Sequence, residues 1–133
     1  AIGDDLNGSI GTVPGTDSPG ATKFNEIAKA NNFKAGPYTK ESYDSAALIM
    51  LAMQAANSTN SNDFKSKVMD VANAPGEKIF PGELAKGLKL LSEGKEIDYV
   101  GASAVELIGG GESAGNFAEI LIDNQKVTTV GYK

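Results

Sequence analysis

The sequence predicts an α/β fold whose sheet is incomplete. Helix-spaced apolar stripes fill the middle of the chain, strand-like runs lie towards its two ends, and the order is one strand, four helices, then strands. A doubly wound sheet needs several parallel strands with helices on both faces. One leading strand and a late hairpin do not supply them, so the 133 residues read as part of a larger body.

Gly8 to Val13 forms a short strand pattern that Pro14-Gly15 ends. Asp17-Ser18-Pro19 is a helix start, because a cap oxygen takes an orphan N–H and proline has none to offer. Ala21, Phe24, Ile27 and Ala28 then make one apolar stripe, closed by Asn31-Asn32 and Gly36-Pro37. A second helix is predicted from Thr39–Ser42 to about Ala56. Its centre, Ala46 to Met53, is apolar on every face, which predicts a helix inside the body. Asn57 to Asn62 is a polar loop that supplies the next cap. The third helix turns Phe64, Val68, Val71 and Ala72 inward and stops at Asn73-Ala74-Pro75-Gly76. The fourth follows Pro81-Gly82, with Leu84, Leu88 and Leu91 on one stripe and Gly94 as its stop. Ala104 to Ile108 alternates weakly before Gly109-Gly110-Gly111. Phe117–Ile122 and Lys126–Val130 flank Asp123-Asn124-Gln125 as a hairpin.

Composition excludes several chemistries. Twelve basic and 17 acidic residues give a net charge of −5, and arginine is absent. Without a basic patch or the bidentate guanidinium fork, nucleic acid is not an expected partner. The absence of cysteine and histidine removes thiol nucleophiles, imidazole bases, Cys/His zinc sites and disulfides. No metal or cofactor is expected. No apolar run approaches the roughly 18 residues of a membrane helix. The chain opens at Ala1 without methionine or a leader, so either a removed signal or a missing upstream portion is expected.

Three segments, in order, carry a family resemblance. They are Gly36-Pro37-Tyr38 with Ser42 to Ala47, then Asn73 to Glu77 leading to Pro81-Gly82-Glu83, then Gly94 to Ser103. They resemble the Tyr-Asp-Ala helix, the paired Pro-Gly segment and the Gly-Lys-x-Ile-Asp-Tyr-x-Gly-Ala-Ser signature of the type I periplasmic binding proteins of branched-chain amino acid transport. Gly109-Gly110-Gly111-Glu112 departs from the family, many of whose members have an Asp/Asn-rich turn there. The resemblance implies the C-terminal portion of a two-lobed fold with three-layer α/β/α lobes. About 14–103 would complete the first lobe, and about 104–133 would supply hinge crossover and closing strands. The missing N-terminal part would be a partner, and the isolated piece is expected to dimerise or swap elements.

The implied function is that of an extracytoplasmic receptor, periplasmic or a lipoprotein, that delivers an amino acid or similar small molecule to an ABC transporter permease. Hinge closure would trap the solute between lobes. The resemblance turns the start of the second helix towards the cleft, making Tyr38, Lys40, Glu41 and Tyr43 the candidate ligand-binding residues. Glu41 can accept from an ammonium group and Lys40 can meet a carboxylate. Family members that bind hydrophobic amino acids carry a bulky aromatic near the position of Lys40, and a lysine there argues against a purely aliphatic ligand. Three of the four also have an ordinary explanation: Tyr43 as packing, Lys40 and Glu41 as solvated first-turn charges with Glu41 favoured by the helix dipole. Asp44 is expected to hold local backbone.

Two other functions fit some of the residues. A sensory domain on the same fold would signal on closure. An enzyme could pair Glu77 with Glu83, or Asp98 with Glu106, but no oriented nucleophile accompanies either pair. No catalytic residue is assigned.

Overall fold

The computed structural model describes residues 3–133. In chain order the elements are a 3-10 turn (Gly3–Leu6), β1 (Ile10–Pro14), α1 (Pro19–Ala30), α2 (Thr39–Ala56), α3 (Ser61–Phe64) and α4 (Lys67–Ala72). Then follow β2 (Glu77–Ile79), α5 (Leu84–Ser92), β3 (Ile97–Tyr99), β4 (Leu107–Ile108), a 3-10 turn (Gly109–Gly111), β5 (Glu112–Ser113), β6 (Phe117–Asp123) and β7 (Lys126–Tyr132). Packing divides the chain into two compact units. One is built from both chain ends, up to Asp17 and from Gly115 onward, and the other is Ser18–Ala114.

The terminal unit is an antiparallel sheet in the order β1-β6-β7. The predicted hairpin is present: Asn124 and Gln125 both have positive φ, the requirement of a two-residue type I′ turn. Ile10 faces Leu121 and Pro14 faces Phe117 across the β1–β6 pair.

In the larger unit the helix ends follow the sequence signals. Ser18 Oγ accepts from the Ala21 N–H at 3.2 Å and Pro19 opens α1. At the other ends, Asn32, Asn57 and Gly94 take positive φ. The N–H groups of Phe33, Ser58 and Lys95 then reach back to the carbonyls of Ala28, Met53 and Leu90 at 2.8, 3.1 and 3.0 Å. This is the Schellman arrangement, which satisfies carbonyls the helix leaves open.

Three findings differ from the pattern read off the sequence. The third helix is divided, with Lys65 and Ser66 between α3 and α4, although Val71 and Ala72 are buried as expected. Next, a parallel pair appears where no strand is predicted, β2 against β3, with Glu77 opposite Ile97 and Ile79 opposite Tyr99. The crossover helix α5 joins them, so β2-α5-β3 is a small βαβ unit. An ideal Cβ on Gly76, whose φ is +142°, would meet the Ile97 backbone. Only glycine lets the chain enter β2 so close to its partner. Last, α2 is enclosed on one face only. Leu48, Leu51 and Ala52 are buried, but Ile49 and Met50 are 45% and 44% exposed.

The core joins Leu51, Ala52, Val71, Ile79, Ile97 and Tyr99, with Phe64, Val68, Leu84, Leu88 and Leu91 packed against it. A second cluster holds Phe24, Ala28 and Ala102, with Tyr43 against it. Among the described residues, no helix is long and apolar enough to cross a membrane.

Candidate functional site

Ligands of open α/β sheets bind beyond the carboxyl ends of the parallel strands. Here β3 ends at Tyr99, and residues 100–106 run on to β4. Asp44, in the second turn of α2, holds that loop. Its carboxylate is 2% exposed. One oxygen accepts from the Tyr99 hydroxyl and the Ala102 N–H, both at 2.8 Å. The other accepts from the Ser103 N–H at 2.7 Å and the Ser103 hydroxyl at 2.6 Å. A buried carboxylate is tolerated only when its lone pairs are met in this way. Burial, and then the neighbouring Asp44 charge, push the Tyr99 phenol far above its usual range. The hydroxyl therefore stays protonated and donates.

Glycine shapes the same corner. Gly101 has φ +64°, and a Cβ there would collide with the Asp44 carboxylate. A Cβ on Gly20 would run into the Gly101 carbonyl oxygen. The Gly-Ala-Ser segment is thus a close-packed seat for one buried anion. The sequence reading gave Asp44 to local backbone, whereas its partners lie 55 to 59 residues downstream.

Beside this seat is a cavity of about 330 Å³ within the larger unit. Its polar lining is Glu41, Asp44, Ser45, Ser103 and Ser113; its apolar wall comes from Leu48, Ile49, Val68, Val105 and Leu107. The β4–β5 hairpin that supplies part of the wall is clamped by Asn73. That side chain donates to the Leu107 carbonyl at 2.7 Å and accepts from the Leu107 N–H at 2.9 Å.

The four candidate ligand-binding residues do not share one surface. Glu41 lines the cavity. Tyr43 packs edge-on against Phe24, with ring centres 5.2 Å apart, and its oxygen accepts from the Gly82 N–H at 3.1 Å. It borders a separate apolar groove with Phe24, Ile27 and Phe33. Tyr38, at the start of α2 with φ 61°, is 62% exposed. Lys40 is half-buried and is not among the cavity's lining residues. Ser45, Ser103 and the apolar wall escaped the sequence reading, since small hydroxyls and core aliphatics carry no distinctive spacing.

Of the carboxylates considered as acid–base pairs, Glu77 and Glu83 have other partners. Glu77 pairs with Lys86 at 2.5 Å and Glu83 with Lys23 at 3.3 Å. Glu83 also accepts from the Phe80 N–H at 3.0 Å, the main cause of its lowered pKa, with Lys23 adding to the effect.

Comparison with solved structures gives a leucine-binding protein, LivK of Thermotoga maritima, which superposes on 96% of this chain with a TM-score of 0.64 at 16% identity. The fold is that of the type I periplasmic binding proteins. In this periplasmic-binding-protein fold the sheets of the two units are partial, and the chain spans 31% of the LivK chain. Among curated proteins, the chemotactic signal transduction system substrate-binding protein BasB of Halobacterium salinarum is 27% identical over 97 residues. That match covers 73% of this chain and 24% of BasB. Both relatives are binding proteins by name rather than enzymes. No protein-family model matches the chain.

Proposed function

We propose that these residues form the C-terminal portion of a longer extracytoplasmic solute receptor that binds an amino acid or similar small molecule. The observation that carries this reading is the superposition on a leucine-binding protein over nearly the whole chain. On this reading about 14–103 complete one lobe and about 104–133 supply the hinge crossover and closing strands. Solute bound beside α2 stabilises a closed state by contacts that only closure completes, and an ABC transporter permease receives it. No bond is made or broken. Exposed Ile49 and Met50 on α2 fit a face that the N-terminal part of the same protein covers; without it, the isolated piece pairs with itself.

A second reading has its own support. BasB is named as the substrate-binding protein of a chemotactic signalling system, so closure can instead be read by a signal transducer. The two share the binding step and differ in the downstream partner.

The test is a thermal-shift screen of the intact protein against amino acids and small organic acids. A ligand at 100 times its Kd raises stability by about 2.7 kcal/mol. No shift across a broad panel refutes the receptor reading. Co-purification with a permease, or with a membrane transducer, separates the two downstream roles.

A further inference from the structure

We propose that the groove between α1 and the start of α2 is a separate binding site, for a small uncharged aromatic molecule of the phenol or indole class. It shares no lining residue with the cavity beside Asp44, so the site goes beyond the receptor reading and does not depend on it. The groove is a pit rather than a flat face. Its floor, Phe24 and Ala28, is only 5% and 7% exposed. Half-buried Ile27 and Tyr43 form the walls, and exposed Asn31 and Phe33 stand at the rim. The volume is about 470 Å³, within the roughly 300–1,000 Å³ of small-molecule sites. Two of the rings are held in place before any ligand arrives. Phe24 and Tyr43 meet edge-on at 5.2 Å, and the Gly82 N–H fixes the Tyr43 oxygen.

The lining selects the occupant. No charged side chain lines the pit, so an ion entering it sheds water and gains no counter-charge. Aromatic walls accept a further ring edge-on or offset, with centres about 4.5–7 Å apart. A floor this buried admits one inserted ring, not a broad protein surface. The polar atoms are few. The Thr39 hydroxyl is engaged with Gly36 in both senses, donating to its carbonyl at 2.8 Å and accepting from its N–H at 2.9 Å. The Asn31 amide donates to the Ile27 carbonyl at 2.8 Å. Its own oxygen is left, among the described residues, as an open acceptor at the rim. A planar ring seated over Phe24, with one O–H or N–H donating to Asn31, matches this set.

Calorimetry on the intact protein tests this with one scaffold in four forms: toluene, p-cresol, 4-methylbenzoate and 4-methylbenzylamine. p-Cresol is expected to bind most tightly and toluene about threefold more weakly. The anion and the cation are expected to bind weaker than p-cresol by about tenfold or more. Phe33→Ala is expected to weaken p-cresol about tenfold, with thermal unfolding unchanged, since Phe33 is 54% exposed. Asn31→Ala is expected to bring p-cresol down to the affinity of toluene and to leave toluene unaffected. Tighter binding of 4-methylbenzoate overturns the uncharged class in favour of an anion held by Lys34 or Lys40, which directly follow the lining residues Phe33 and Thr39. Equal binding of p-cresol and toluene removes the hydrogen bond to Asn31, and with it the phenol and indole class. If no probe binds, the site is refuted; self-association that Phe33→Ala abolishes would then assign the groove to a second copy of the chain. Failure of this site leaves the outcome of the receptor screen untouched.

Discussion

Replacing Asp44 with alanine is the sharpest perturbation of this fold. It strips the acceptor from the Tyr99 hydroxyl and from the Ala102 and Ser103 N–H groups at once. Tyr99 and Ala102 are fully buried, so water cannot take the place of the carboxylate without opening the loop. Each orphaned buried donor costs about 1–3 kcal/mol. Relaxation of residues 100–104 recovers part of this, and breaking a buried charged network typically costs about 3–5 kcal/mol, the loss expected here. Domains hold only about 5–15 kcal/mol in reserve, so the variant is expected to be marginal. Tyr99→Phe removes one charge-assisted bond and is expected to cost about 1.5 kcal/mol. The double variant is expected to cost about 1 kcal/mol less than the sum, because no hydroxyl is left to orphan. Urea unfolding of the 133-residue chain, followed by far-ultraviolet circular dichroism, gives all three values. An Asp44→Ala loss under about 1 kcal/mol, or strict additivity in the cycle, would show that the carboxylate does not hold the loop.

The Tyr99 phenol is raised above its unfolded value near 10, so its contribution is complete below about pH 10 and drains as pH rises beyond. Stability of the parent is expected to fall above pH 10 faster than that of Tyr99→Phe, by up to about 1.4 kcal/mol per pH unit; parallel alkaline unfolding curves for the two would contradict this. Gly20→Ala drives a methyl group into the Gly101 carbonyl and is expected to cost about 1–3 kcal/mol. Gly109→Ala meets open space and is expected to stay within about 0.5 kcal/mol of the parent, both by thermal unfolding. Asn73→Ala frees both polar groups of Leu107 and is expected to cost about 1–3 kcal/mol, with faster amide exchange at Leu107 as the local readout. Leu51→Ala is expected to lose about 2–5 kcal/mol, against less than about 0.5 for Ile49→Ser, two residues away on the exposed face of the same helix; equal losses would mean that α2 is enclosed on both sides.

The ends of α1, α2 and α5 were legible because their determinants are local: Ser18-Pro19, Asn32, Asn57 and Gly94 act on backbone within a few residues. The β6–β7 hairpin was legible for the same reason. β2 and β3 were not, because three-residue strands such as Glu77-Lys78-Ile79 show no alternation to read, and their strand character comes from a partner across α5. The uniform apolar run of α2 could not reveal which face packs, since hydrophobicity on every face gives no direction. At the site, the carboxylate of Glu41 was visible as a residue type in a first turn, but the cavity it lines depends on Val68, Val105 and Leu107. These converge only through tertiary folding. Asp44 shows the same limit: a lone acid in an apolar helix carries no mark of donors more than fifty residues away.

That separation sets when the Asp44 seat can form. Closing the 58-residue span from Asp44 to Ala102 costs about 3.6 kcal/mol of chain entropy beyond a constant, from the logarithmic loop-closure law. The donors also have no fixed positions until the βαβ unit is built. The seat is therefore a late latch: it does little to speed the climb to the folding barrier and much to slow the escape back over it. A single buried anion in this way converts a slowly won long-range contact into residence time in the native state.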